Sequence, residues 1–253
     1  MPRKKHAPHM TVLITGASGD LGLAIAEKFA SPGNTLILHS YRHPEAIRRF
    51  AKKHPRVKIV HINTDGSDEK RIKIALGNLR RIHGIGRIDA VVNNAGDLIE
   101  RRPLSQLDWA FVQRTLDVNV KTAFLFTKYS YPYLRRGSSV IFISSMTAEA
   151  GKGDRSSAYG MAKGAILAWS KSLANELGRQ GIRVNCIAPG YIRGNFHRRY
   201  TVKKVETKHA QRNPLGRVGR PEDVAYAVLA LASQGEGYIN GVTIDVNGGD
   251  YIR

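Results

Sequence analysis

A chain of 253 residues with 42% apolar content and ordinary amounts of glycine and proline can bury a sizeable core, which excludes disordered and fibrous classes. The formal charge of +20 favours acidic partners such as nucleotides, coenzyme A thioesters, acyl-carrier proteins, nucleic acid or anionic lipid, and says nothing of fold. The single cysteine, Cys186, excludes an internal disulfide, and with no signal-peptide pattern or long apolar run expected, the reading is a cytoplasmic protein that does not enter a membrane.

Short apolar, β-branched runs recur at 11–15, 36–39, 58–62, 88–92, 139–143, 183–187 and 242–246, each reading as a strand buried on both faces. Amphipathic segments of helical length separate them at 21–30, 72–82, 116–134, 159–177 and 222–231. Alternation of this kind predicts an α/β fold, a doubly wound parallel sheet of about seven strands with helices on both faces. No linker, repeat or low-complexity segment divides the chain, so residues 10–253 are expected to form one domain after a disordered basic tail at 1–9.

Ligands bind such sheets beyond the carboxyl ends of the strands, so the residues after each strand carry the functional information. The first strand runs into Thr15-Gly16-Ala17-Ser18-Gly19-Asp20-Leu21-Gly22 and then a helix. Exposed N–H groups and the positive helix end there suit a pyrophosphate, although a plain tight turn has the same composition. Further on, Tyr159 and Lys163 lie four apart on one face of a predicted helix. An ammonium about 5 Å from a phenol favours the phenolate by roughly 3 kcal/mol at an effective dielectric near 20, or about two pKa units. That would make Tyr159 an acid or base near neutrality. Spacing alone is weak evidence, because Tyr200 and Lys204 repeat it.

The glycine-rich turn, Asn93-Asn94-Ala95-Gly96 after the fourth strand, Ser144-Ser145 after the fifth, Tyr159 to Lys163, and Ala188-Pro189-Gly190 after the sixth together resemble the short-chain dehydrogenase/reductase family. The likeness spans residues 11–249 and includes Pro214-Leu215-Gly216-Arg217, Pro221-Glu222-Asp223-Val224 and Val246-Asn247-Gly248-Gly249. It implies a Rossmann fold and hydride transfer between a nicotinamide cofactor and a carbonyl or secondary alcohol. By resemblance Tyr159 moves the proton, Ser145 hydrogen-bonds the substrate oxygen, and Lys163 lowers the Tyr159 pKa and holds the ribose. Asn119 by resemblance kinks a long helix and holds a water against the lysine. Ser145 precedes Tyr159 by one residue more than in many relatives, which leaves Ser144 as the alternative.

The cofactor residues implied by the same resemblance are Gly16, Ser18, Asp20 and Leu21 at the diphosphate, with Asn93, Ala95 and Gly96 on the adenosine side. Asp65 matches the adenine-binding aspartate, though an Asx-turn or N-cap role suits it equally. Tyr159, Lys163, Pro189, Gly190 and Ile192 would meet the nicotinamide half. After the second strand Ser40 and Arg42 replace the acidic residue expected for NAD, and Arg42 offers a guanidinium to a 2′-phosphate, so NADP is preferred. Two positions depart from the pattern. The middle glycine of the family's turn is Asp20, which lowers the expected cofactor affinity, and the usual nicotinamide-binding threonine is Gly194.

Residues 191–213 are expected to form a substrate lid, with seven lysines and arginines against the lone acid Glu206. A basic lid points to a phosphorylated or acyl-carrier-linked substrate, or to a solvated surface. The leading reading is an NADPH-dependent reductase similar to 3-oxoacyl-acyl-carrier-protein reductases. A pterin reductase, a sugar or secondary alcohol dehydrogenase, and a catalytically idle basic binding protein are the alternatives. Apolar character on more than one face of 118–134 and 165–177 predicts oligomerisation, and the family resemblance implies a homotetramer. Nine histidines show no metal-ligand spacing, and basic charge without interleaved aromatics does not mark a nucleic-acid binder.

Overall fold

The computed structural model describes residues 9–200 and 203–252. All of the expected basic tail except His9 lies outside the described residues. Seven strands form one parallel sheet: β1 Thr11–Ile14, β2 Thr35–Ser40, β3 Lys58–Asn63, β4 Ala90–Asn93, β5 Ser139–Ile143, β6 Arg183–Pro189 and β7 Thr243–Val246. Their order, β3-β2-β1-β4-β5-β6-β7, reverses between β1 and β4, where Val12 is paired with both Leu36 and Ala90. A crevice at such a switch point is where this topology places ligands.

Strand periodicity of two sorts the apolar side chains into two cores. Leu13, Ile37, Val91, Phe142 and Val184 face helices α3 Glu69–Gly77, α4 Leu79–His83, α6 Thr122–Ser130 and α8 Ser157–Gly178. Val12, Ile14, Leu38, Val92 and Ile141 face α1 Asp20–Phe29, α2 Pro44–Lys53 and α11 Pro221–Ala232. Both faces of the central strands are therefore covered, as their unbroken apolar runs require.

Two helical expectations need correction, and other helices were not expected. The segment at 72–82 is two helices, α3 and α4, which meet at Asn78. The segment at 116–134 begins earlier, as α5 Trp109–Leu116, and passes through a π-turn at Asp117–Lys121 into α6. Asp108 caps α5 by accepting from the Phe111 N–H, a signal lying outside the apolar run. Helix α2 gave no apolar signal, because Ala46, Ile47 and Phe50 are its only buried positions among a run of cations. The lid region holds two helices, α9 Asn195–Tyr200 and α10 Lys203–Arg212, with α7 Thr147–Ala150 on the opposite wall of the cleft.

Candidate active site

Loops following β1, β4, β5 and β6 open into one cleft of about 920 Å³, near the top of the usual range for ligand pockets of about 300–1,000 Å³. The two loops on either side of the switch point are locked together. Thr15 Oγ1 accepts from the Asn94 and Ala95 N–H groups at 3.0 and 2.9 Å, and Asn94 Nδ2 donates to the Thr15 and Gly16 carbonyls. Gly16 sits at φ +62°, and a Cβ there would lie 2.9 Å from Ala95 Cα, so neither the conformation nor the space admits a side chain. Gly16, Ser18, Asp20 and Leu21 line the floor of the cleft at the start of α1, with Ala95 and Gly96 beside them.

His39, on β2, supports this floor and was not singled out in the sequence. Its Nε2 lies 3.0 Å from the Thr64 carbonyl and must carry the proton, which leaves Nδ1 to accept from the Gly16 N–H at 3.3 Å. Burial lowers its pKa to about 4, so the ring stays neutral and keeps that tautomer. No local pattern marks such a residue, because its partners come from two other strand ends.

The adenosine-side expectations divide. Ser40 is fully buried and its hydroxyl lies 2.7 Å from Nε2 of His61 on β3. Arg42 is exposed, over the Tyr41 ring at 5.8 Å, with no carboxylate partner among the described residues. Asp65 Oδ1 accepts from the Ser67 N–H and hydroxyl, both at 2.8 Å, which is the Asx-turn role. Asn93 is buried and donates to Thr127 Oγ1 at 2.9 Å, bracing β4 against α6.

At the other end of the cleft α8 carries Tyr159 and Lys163 one turn apart, both lining the wall. Lys163 is buried and its Nζ donates to the Ile143 carbonyl at 2.9 Å. Asn119 is the buried centre of the π-turn, and its Nδ2 donates to the Thr115 and Asp97 carbonyls at 2.9 and 2.8 Å. The Thr122 N–H reaches back five residues to the Asp117 carbonyl, which widens the helix there and presents Asn119 to the cleft wall. Asn119 Oδ1 is left buried without a partner. A Cβ on Gly96 would lie 2.5 Å from Asn119 Oδ1 and 2.9 Å from Lys163 Nζ, so both polar atoms crowd one point beside that glycine.

The two serines are separated by their partners. Ser144 Oγ donates to the Lys163 carbonyl at 2.9 Å and is spent on holding α8. Ser145 lines the cleft with Tyr159, accepts from the Thr147 N–H at 3.2 Å, and is the hydroxyl that favours the ionised Tyr159 phenol. Burial pushes the Tyr159 pKa well above the ordinary phenol value; the Ser145 hydrogen bond opposes this and the Asp97 charge adds to it. Any lowering by Lys163, whose Nζ lies 5.6 Å from the phenol ring centre and donates to the Ile143 carbonyl, is outweighed by burial. Burial also lowers the Lys163 pKa to about 8.

Pro189, Gly190 and Ile192 continue the wall after β6, the Gly190 N–H being tied to the Val246 carbonyl at 3.0 Å. Beyond them lies the lid, three of whose cations meet carboxylates of the chain. Arg193 meets Glu206 at 2.7 Å, Arg198 meets Asp20 at 3.8 Å, and Arg199 meets Asp97 at 3.4 Å. These are three of its seven lysines and arginines, so the basic charge of the lid is matched only in part. Tyr200, whose pairing with Lys204 repeats the catalytic spacing, instead donates to Asp97 Oδ1 at 2.7 Å. Among the described residues no group of histidines, cysteines and carboxylates could hold a metal ion, and no helix is long and apolar enough to cross a membrane.

Comparison with known proteins agrees with this geometry. Residues 16–250 match the family described as Enoyl-(Acyl carrier protein) reductase. The 3-oxoacyl-[acyl-carrier-protein] reductase of Aquifex aeolicus is 34% identical, with 94% of this chain and 95% of that protein covered. An uncharacterized oxidoreductase of Bacillus subtilis, YhxC, is 34% identical over 100% of this chain and 88% of its own length. The crystal structure of a short-chain dehydrogenase/reductase (glucose/ribitol dehydrogenase) from Brucella melitensis superposes with a TM-score of 0.88 at 30% identity, covering 96% of this chain and 97% of the other. With the switch-point cleft, the Ser145–Tyr159–Lys163 wall and relatives matched over nearly their full lengths, the chain belongs to the short-chain dehydrogenase/reductase family of oxidoreductases.

Proposed function

We propose that the protein is an NADPH-dependent carbonyl reductase acting on 3-oxoacyl thioesters. The observation that carries the reading is the meeting of Ser145, Tyr159 and buried Lys163 on one wall of the cleft. Two hydroxyl donors at one point suit an oxygen that gains charge and a proton, and not the carbon of an alkene. Leu98, Met146, Tyr191 and Phe196 line the same cleft and offer an apolar wall for an acyl chain.

Family membership implies a nicotinamide cofactor, and the residues fit one. Gly16 and Gly96, which line the cleft, pack so closely on Ala95 and on Asn119 and Lys163 that no side chain could stand there, and Asn119 Oδ1 is a buried acceptor still without a partner. Gly16, Ser18 and Leu21 would hold the diphosphate, Ala95 and Gly96 the adenosine side, and Tyr159 and Lys163 the nicotinamide ribose, with Pro189, Gly190 and Ile192 against the ring. When bound, the cofactor supplies a hydride to the carbonyl carbon. Tyr159 gives its proton to the carbonyl oxygen, and its raised pKa keeps that proton in place until the oxygen gains charge. Ser145 donates to the same oxygen. Lys163 holds a cation next to the phenol, and a pKa of about 8 lets it exchange protons near neutrality.

NADPH is preferred over NADH because Arg42 stands exposed and without a carboxylate partner at the end of β2, whereas Glu45 nearby is engaged by His43 at 3.4 Å. Titration calorimetry with both nucleotides, at low and moderate salt, tests this. NADPH should bind more tightly, and Arg42→Ala should erase about ten-fold of that preference while sparing NADH. Equal binding of the two nucleotides would refute the NADP reading. Exposed Trp109, Phe124 and Met161 on α5, α6 and α8 support a homotetramer, which light scattering would refute by a monomeric mass.

A further inference from the structure

Helix α9 spans the cleft between two carboxylates, each supplied by a loop that lines the cofactor side. Its first residue is held by Asp20: the Asn195 N–H donates to Asp20 Oδ2, Asn195 Nδ2 donates to Oδ1 at 3.1 Å, and Arg198 stands 3.8 Å from Oδ2. The last residue is held by Asp97, which accepts from the Tyr200 hydroxyl at 2.7 Å and faces Arg199 at 3.4 Å. Arg101 adds a bond from Nε to the Tyr200 carbonyl at 3.0 Å. Asp20 opens α1, and Asp97 follows directly on Gly96.

Gly194 completes the arrangement. A Cβ at this position would lie 2.7 Å from Asp20 Oδ2, so the carboxylate occupies the space that a side chain there would need. The two departures from the family pattern, a carboxylate at 20 and a bare glycine at 194, are therefore halves of one contact. An acid at the start of α1 also sits in the positive field that a diphosphate would use.

We propose that Asp20 and Asp97 form a two-point latch on the lid, and that the Asp20–Gly194–Asn195 contact closes the diphosphate end of the cleft in the free protein and opens before the nucleotide enters. Asp20 acts here as a positioning residue, exchanging unobstructed anion binding for a lid whose closure is tied to the phosphate loop. The gate rests on the NADPH reading above, whereas the latch does not.

Hydrogen exchange of the free full-length protein over 195–200 tests the latch, with the wild type, Asp20→Gly, Gly194→Ala and the double variant. Loss of charged hydrogen bonds predicts about ten-fold faster exchange in Asp20→Gly. Gly194→Ala, which forces the carboxylate aside while keeping its charge, should do the same, and the double variant should exchange no faster than Asp20→Gly. Protection across α8 should be unchanged in all four, which separates lid opening from general loss of structure. Wild-type exchange in Asp20→Gly, or additive effects in the double variant, would overturn the latch.

Stopped-flow association of NADPH tests the gate. Both single variants should bind several-fold faster than the wild type, whereas simple charge repulsion by Asp20 would accelerate Asp20→Gly alone and overturn the gate. Failure of every variant to bind nucleotide would remove the NADPH reading and the gate with it, and the exchange cycle would still decide the latch.

Discussion

Replacing Lys163 with methionine should abolish turnover and yet stabilise the fold near neutrality. Burial lowers the lysine pKa from 10.5 to about 8, so below about pH 8 the folded protein holds an ammonium in a site that disfavours it. At about 1.4 kcal/mol per pKa unit the cost is on the order of 3 kcal/mol. Methionine removes that cost but leaves the Ile143 carbonyl without its 2.9 Å donor, a loss of about 1 kcal/mol. The net gain near pH 7 is about 2 kcal/mol, or several degrees in Tm for a chain of this size.

The sign of the pH dependence gives the test. Between about pH 8 and 10.5 the unfolded lysine stays protonated while the folded one loses its proton, so wild-type stability rises with pH across that window relative to the variant. The advantage of Lys163→Met should therefore be full below about pH 8 and shrink towards pH 10. Tyr159 does not interfere, because its pKa is raised above the ordinary phenol value. Chemical denaturation of both proteins at about pH 7 and about pH 9.5 measures the difference. A variant less stable than wild type by the same amount at both values would refute the claim that the ammonium is held at a cost.

Gly96→Ala places a methyl 2.5 Å from Asn119 Oδ1 and 2.9 Å from Lys163 Nζ, and should cost about 1–3 kcal/mol of stability and lower kcat at least ten-fold. Wild-type kcat in this variant would show that the Asn119–Lys163 junction has no part in turnover. Tyr159→Phe should lower kcat by about 10²–10⁴ and Ser145→Ala by about 10²–10³, with nucleotide affinity kept within a few-fold in Ser145→Ala. Ser144→Ala should instead lower thermal stability, since its hydroxyl is bound to the Lys163 carbonyl. A kcat loss in Ser144→Ala matching that of Ser145→Ala would reverse the assignment of the two serines.

The strands and the cleft were legible in the amino-acid order because they depend on local chemistry. Seven apolar runs fall on seven strands: β1, β2, β4, β5 and β6 are buried almost throughout and leave a continuous signal, whereas β3 and β7, at the sheet edges, are only partly buried. Gly16 and the Tyr159–Lys163 turn were legible for a similar reason: a left-handed turn and an i,i+4 pair are set by near neighbours. Helix α2 and the lid helices escaped because few apolar residues stand among many charged ones, so that even the well-formed stripe of α2 leaves no apolar run.

The sequence by itself determined the doubly wound sheet, the family, and which residues meet at the end of each strand. Only the tertiary structure decided what those residues do for one another. Asp20 reads as an obstacle to phosphate until Asn195, 175 positions away, is seen to cap it. His39 gains its tautomer from Gly16 and Thr64, and Ser144 and Ser145 are told apart only by the carbonyl and the phenol that face them. Of the lid's seven lysines and arginines, which predict an acidic ligand when counted, Arg193, Arg198 and Arg199 are found on Glu206, Asp20 and Asp97 when placed. Hydrogen bonds and ion pairs act over about 3–4 Å in space and carry no periodicity along the chain, so their partners become known only when the chain is folded.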